Sequence, residues 1–139
     1  MILLVRHASA GEREEWEGDD RERPLDERGR AQAAALVELL ARFPVERVLS
    51  SPAARCVETV APLAAARGLA PESRDELAEE HQGTDGAALV RSLAREDVVV
   101  CGHGGLEWAL PAAPKWKKAA TLVLGPDLEL LETLRPTAK

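Results

Sequence analysis

Met1-Ile2-Leu3-Leu4-Val5-Arg6-His7-Ala8-Ser9 opens the chain. Residues 2–5 are apolar without a polar alternate, the pattern of a strand covered on both faces. The run stops at Arg6-His7, so a cation and an imidazole stand at the carboxyl end of a buried strand. Val45 to Leu49 and Val98 to Cys101 are short apolar runs of the same kind. Helical patterns separate them, which predicts parallel strands joined by crossover helices.

Ala33, Leu36, Val37 and Leu40 recur at helical spacing between Asp26 and Arg42, with Asp26 placed to cap the N-terminus. Pro52 suits the first position of a second helix capped by Ser51, and Pro62 is expected to break or kink it. Thr84 or Asp85 opens a third helix that runs to about Arg95. Ala119 to Leu124 and Leu128 to Leu134 flank Gly125-Pro126-Asp127 and read as an antiparallel hairpin at the sheet edge. Gly11 to Arg23 carries charges of both signs around Trp16 without a sustained period. It reads as a surface loop, with an active-site flap as the functional alternative.

The 139 residues suffice for one domain with a real core, and no repeat or linker divides them, so residues 1–139 are read as a single domain. The net charge of −6 disfavours binding along a nucleic-acid backbone, which needs clustered positive charge. No apolar run approaches the ~20 residues of a membrane helix, and the opening strand is too short for a signal peptide. Cys56 and Cys101 lie in apolar surroundings and read as reduced thiols. A cytoplasmic protein without membrane or nucleic-acid partners is expected.

Three segments follow the three central strands: Arg6-His7-Ala8-Ser9, Ser50-Ser51-Pro52-Ala53-Ala54-Arg55 and Gly102-His103-Gly104-Gly105. The carboxyl ends of strands in an open α/β sheet border the ligand crevice, so the three segments are expected to meet. Arg6, Arg55 and His103 offer donors for a tetrahedral anion. Arg55 falls in a first helical turn, where free backbone N–H groups also favour anions. His7 remains as a nucleophile.

In this order the segments resemble the histidine phosphatase superfamily, which includes the phosphoglycerate mutases. The likeness rests on Arg6-His7, on Ser51 to Arg55 with Thr59 on the ensuing helix, and on Gly102-His103. Arg23-Pro24-Leu25 with Gly29-Arg30 and Gln32-Ala33 is similar to the family's first-helix signature. The resemblance implies a phosphoglycerate mutase-like three-layer α/β/α domain with a mostly parallel sheet and an antiparallel edge hairpin. It also implies a phosphatase without cofactor or metal that passes a phosphoryl group through His7 to water. Ala8 stands where the mutases carry glycine, which turns the reading from mutase activity.

The short length and the Arg-His-Ala start resemble SixA-type phosphohistidine phosphatases. Gly18-Asp19-Asp20, Leu77-x-Glu79-Glu80 and Lys115 to Lys118 are similar to the histidine phosphatase domain that follows a Nudix domain in some bacterial proteins. The implied partner is a phosphohistidine protein or a phosphorylated small molecule.

Glu79 stands where the superfamily commonly carries the acid that protonates the leaving group. Glu80 and His81 compete for that role, and Glu76 less so. Ser9 and Lys118 are expected to touch substrate. Lys115-Trp116-Lys117-Lys118 concentrates three cations around an aromatic ring, which suits several phosphates and stacking of Trp116 on a base; the alternative is a solvated loop whose Trp covers the core edge. Two rivals complete the reading. One is a metal site of His7, His81, His103 and Cys101, which lacks the usual ligand spacings. The other is a non-catalytic phosphate-binding regulatory module, which has little need of His7.

Overall fold

The computed structural model describes residues 1–137. β1 (Ile2–Arg6), β2 (Arg47–Ser50), β3 (Glu72–Ser73) and β4 (Val98–Gly102) are parallel; β5 (Thr121–Leu124) and β6 (Leu130–Leu134) form the antiparallel hairpin. The sheet order is β3-β2-β4-β1-β5-β6. β1 and β4 therefore occupy the centre, which explains why their residues are apolar on both sides. Leu3 and Val5 face one layer with α1 (Glu27–Leu39) and α2 (Ala54–Ala66). Ile2 and Leu4 face the other, with α3 (Ala87–Ser92), Leu106 and Leu110.

Register brings the strand ends level. Arg6 pairs with Gly102, and Ser50 with Cys101. The next backbone bonds continue the ladders: His7 N–H donates to the Gly102 carbonyl at 3.1 Å, and Ser51 N–H to that of Cys101 at 3.0 Å. His7, Ser51 and His103 consequently leave the sheet in one row.

Asp26 caps α1 as expected, its carboxylate accepting from Gly29 N–H at 2.8 Å. A Cβ on Gly29 would lie 1.9 Å from the Ser9 carbonyl oxygen. Only glycine admits this approach of helix to loop. α1 stops at Leu39, earlier than Arg42. α2 begins at Ala54 behind an Ala53 N-cap without a side-chain bond, so Ser51 is not its cap. Pro62 does not break α2, which runs on to Ala66. Val60, Leu63 and Ala64 anchor the helix in the core on either side of the proline, and this burial outweighs one missing hydrogen bond. The third helix is shorter than expected and follows a π-type turn, Gln82–Gly86.

The hairpin lies beside β1, so Ala119 neighbours His7; its N–H donates to the carbonyls of Arg6 and His7. Within Gly11 to Arg23, two 3₁₀ turns, Arg13–Glu15 and Asp20–Glu22, give the irregular segment a defined shape. No helix among the described residues is long and apolar enough to cross a membrane.

Candidate active site

His7 is buried to 7% exposure, and its Nδ1 lies 2.9 Å from the Ala8 carbonyl oxygen. A carbonyl only accepts, so Nδ1 carries the proton and Nε2 keeps the lone pair. Burial pushes the His7 pKa down to about 3, helped by the charges of His103, Arg55 and Arg6 and opposed by the Ala8 bond. The imidazole is neutral at neutral pH. Its ring meets that of His103 edge-on, with centroids 5.5 Å apart.

Around it stand the other expected residues. Arg6 donates through Nη1 to the Trp116 carbonyl at 2.7 Å, and its guanidinium lies along Gly104, where a Cβ would be 3.1 Å from Cζ. Arg55 is 1% exposed. Its Nη2 is 3.5 Å from His103 Nδ1, and the opposite nitrogen, Nε2, is 2.8 Å from the Ser51 hydroxyl. Cys56 Sγ approaches the same nitrogen at 3.6 Å. The Nε atoms of Arg6 and Arg55 are buried without an acceptor among the described residues. Two guanidiniums, a second imidazole and a neutral nucleophile thus converge at the strand ends, an arrangement suited to holding a phosphoryl group.

A model of the histidine phosphatase superfamily (branch 1) matches residues 2–88. The chain belongs to this superfamily. The 8-oxo-(d)GTP phosphatase of Mycolicibacterium smegmatis is 36% identical over 120 residues, 83% of this chain but 36% of that protein, so the chain spans about a third of its relative. The protein assigned as phosphohistidine phosphatase SixA in Agrobacterium tumefaciens superposes with a TM-score of 0.81 at 26% identity, covering 97% of both chains. Its counterpart in Nakamurella multipartitia gives 0.73 at 27% identity over 99% of this chain and 96% of that one. The protein histidine phosphatase SixA in complex with tungstate shares the fold, with a TM-score of 0.79 at 21% identity over 97% and 96%.

In this member of the superfamily the supporting contacts come from residues that sequence patterns did not single out for them. Thr59 Oγ1 accepts from Ala8 N–H at 2.9 Å and donates to the Arg55 carbonyl at 2.6 Å, tying the His7 loop to α2. Its signal was present: a hydroxyl four residues after Arg55 on a helix bonds back to the i−4 carbonyl. Gln82 clamps the other side, accepting from His103 N–H at 3.1 Å and donating to the Gly104 carbonyl at 3.0 Å. Nothing in the sequence around Gln82 announces this, because the partner lies 21 residues away, just past the end of β4.

The segment from Gly11 to Arg23 borders the site. A cavity of about 340 Å³ holds Arg6, His7 and His103 on its inner wall and Arg13, Glu79 and Lys118 farther out. Asp20 reaches Arg55 at 3.2 Å, Arg23 at 3.0 Å and Arg13 at 3.5 Å. Burial opposes its ionisation, but these guanidiniums outweigh that and hold the carboxyl below the ordinary range. Glu79 lies 3.3 Å from Arg55 and accepts two bonds from Arg13, at 2.9 and 3.2 Å. A second cavity, about 270 Å³, shares Glu79 and His103 with the first.

Several expectations change. Ser9 does not line the His7 cavity; its hydroxyl donates to Asp26 at 2.7 Å, where it buttresses the α1 cap. Trp116 is 4% exposed, within the core, with its indole N–H on the Ala120 carbonyl at 2.9 Å, so it offers no face to a base. Lys118 does line the cavity, whereas Lys115 and Lys117 point to solvent outside it. Glu76 is engaged with Arg74 at 2.7 Å. Glu80 and His81 are exposed; Glu80 borders only the second cavity, and His81 neither. The four residues of the metal rival are not gathered: no group of three or more His, Cys, Asp or Glu side chains poised for a metal occurs among the described residues.

Proposed function

We propose that this chain is a phosphatase that works in two steps through a phosphohistidine on His7. The observation that carries the reading is the pairing of a committed Nδ1 with a free, neutral Nε2 inside a ring of Arg6, Arg55 and His103. Nε2 attacks phosphorus and the bond to the leaving oxygen breaks. Arg6, Arg55 and His103 hold the non-bridging oxygens, so their work is positioning and charge stabilisation. Water then attacks the phosphohistidine and releases orthophosphate. A binding module would need the clamp but not an imidazole held with one lone pair free.

Glu79 is the acid for leaving groups that need a proton. It is the acidic side chain that borders both cavities and touches Arg55. A carboxylic acid there suits phosphate esters of small molecules. The likeness to an 8-oxo-(d)GTP phosphatase supports a small, phosphorylated substrate of the nucleotide type. The SixA likeness keeps phosphohistidine proteins as the second reading.

The test is a turnover assay. Purified protein is expected to hydrolyse p-nitrophenyl phosphate, and His7→Ala to lose at least ~10³-fold in rate, as nucleophile removal does in covalent catalysis. Activity that survives in His7→Ala contradicts the proposal. A panel of nucleotides, sugar phosphates and a phosphohistidine protein then ranks the substrates.

A further inference from the structure

Arg13 has no part in the mechanism above, yet it lines the same cavity as His7. It sits on the irregular segment over the site, with its side chain 53% exposed. Its Nη2 already holds an anion, donating to both carboxylate oxygens of Glu79 at 2.9 and 3.2 Å. Charge-assisted bonds of this kind are also what arginine offers to phosphate oxygens. Lys118 also lines the cavity, from the stretch that leads into β5, and forms no ion pair among the described residues. The cavity has no aliphatic side chain on its wall, and its only rings are the two imidazoles. Such a wall gives an apolar leaving group nothing to bury against.

We infer that Arg13 and Lys118 form an outer anion site, which selects substrates carrying a second negatively charged group next to the transferred phosphoryl, as in a nucleoside diphosphate. This rests on the phosphatase reading and deepens it. The inner donors Arg6, Arg55 and His103 take the phosphoryl that goes to His7. The neighbouring phosphate replaces Glu79 on Arg13 and meets Lys118. When His7 Nε2 attacks the terminal phosphorus, the anhydride P–O bond breaks and its electron pair stays on the bridging oxygen. That oxygen becomes part of the departing phosphate, whose charge Arg13 and Lys118 balance without a proton. The exposed Glu12 and Glu14 also border the cavity. Anions that do not reach the two cations are therefore repelled rather than collected.

The experiment compares binding of inorganic pyrophosphate with that of orthophosphate by calorimetric titration, in the wild type, Arg13→Gln and Lys118→Gln. A charge-assisted bond is worth about 1.5–3 kcal/mol, so the wild type is expected to prefer pyrophosphate by about tenfold or more. Each variant is expected to cut that preference to within about threefold. In parallel, the ratio of kcat/KM for a nucleoside diphosphate to that for p-nitrophenyl phosphate falls about tenfold in each variant, and Arg13→Lys restores part of it. Circular dichroism checks that the variants are folded. A wild type without the preference, or variants that keep it, overturns the outer site while nitrophenyl phosphate turnover leaves the phosphatase reading standing. Loss of the preference in variants of a protein that hydrolyses neither substrate supports the anion site and removes the phosphatase reading.

Discussion

Nδ1 of His7 donates to the carbonyl of its own neighbour, Ala8, at 2.9 Å. The bond is local in sequence, but its consequence is chemical: it fixes the tautomer and leaves Nε2 as the one nitrogen able to attack. Burial keeps that nitrogen unprotonated well into acid, with a pKa of about 3 in the folded chain.

The depressed pKa has a sign that stability measurements can read. In the unfolded chain His7 takes up a proton as pH falls through about 6.5, whereas the folded chain resists until about 3. The unfolded state then holds more protons, so stability is full above pH 6.5 and is lost as pH falls. The carboxyls of Asp20, Asp26, Glu72 and Glu76 are all held below their ordinary values of 4.5 or less. They act at lower pH than His7 does. Urea unfolding at pH 7.5 and 5 is expected to show a larger loss in the wild type than in His7→Asn, by up to about 1.4 kcal/mol per pH unit below 6.5. Equal losses in the two proteins contradict the buried neutral imidazole.

Thr59 offers a test of how the His7 loop is held. Thr59→Val keeps the shape and removes the acceptor of the buried Ala8 N–H. An unsatisfied buried donor costs about 1–3 kcal/mol, so the unfolding free energy falls by about that amount and the midpoint of denaturation with it. The rate falls as well, because Ala8 carries the carbonyl that orients His7. Unchanged stability together with an unchanged rate shows that the loop does not depend on Thr59.

Much of this was legible in the sequence, and particular residues show why. The all-apolar Ile2 to Val5 run announced a central strand because both its faces are covered. Arg6, His7, Arg55 and His103 were legible because strand ends in a parallel sheet meet, and the observed register brings them level. Partners chosen by tertiary approach were not legible. Ser51 carries the residue type of a helix cap, but His103 arrives within 2.8 Å of its hydroxyl. Ser9 looked ready for substrate, but its hydroxyl donates to Asp26 instead. Trp116 between lysines left stacking on a base and covering the core edge both open, and its burial decides for the core. Arg13 and Asp20 were hidden in a segment without periodicity, and their roles depend on where that segment crosses the strand ends.

Glu79 can be assigned by leaving group. Glu79→Gln is expected to slow hydrolysis of an alkyl phosphate by ~10²–10⁴-fold, the usual worth of general acid catalysis. Nitrophenyl phosphate, whose leaving group needs little protonation, is expected to suffer far less. Equal losses on both substrates transfer the role to Glu80, which borders the adjoining cavity.

The central claim is the covalent step, and rapid-quench labelling tests it most directly. Incubation with a ³²P-labelled substrate for milliseconds to seconds is expected to leave phosphate on the protein that is stable to base and labile to acid. Peptide mapping is expected to place that label on His7, at Nε2. Absence of label in His7→Ala accompanies that result. Label found on another residue, or still formed when His7 is alanine, contradicts the account.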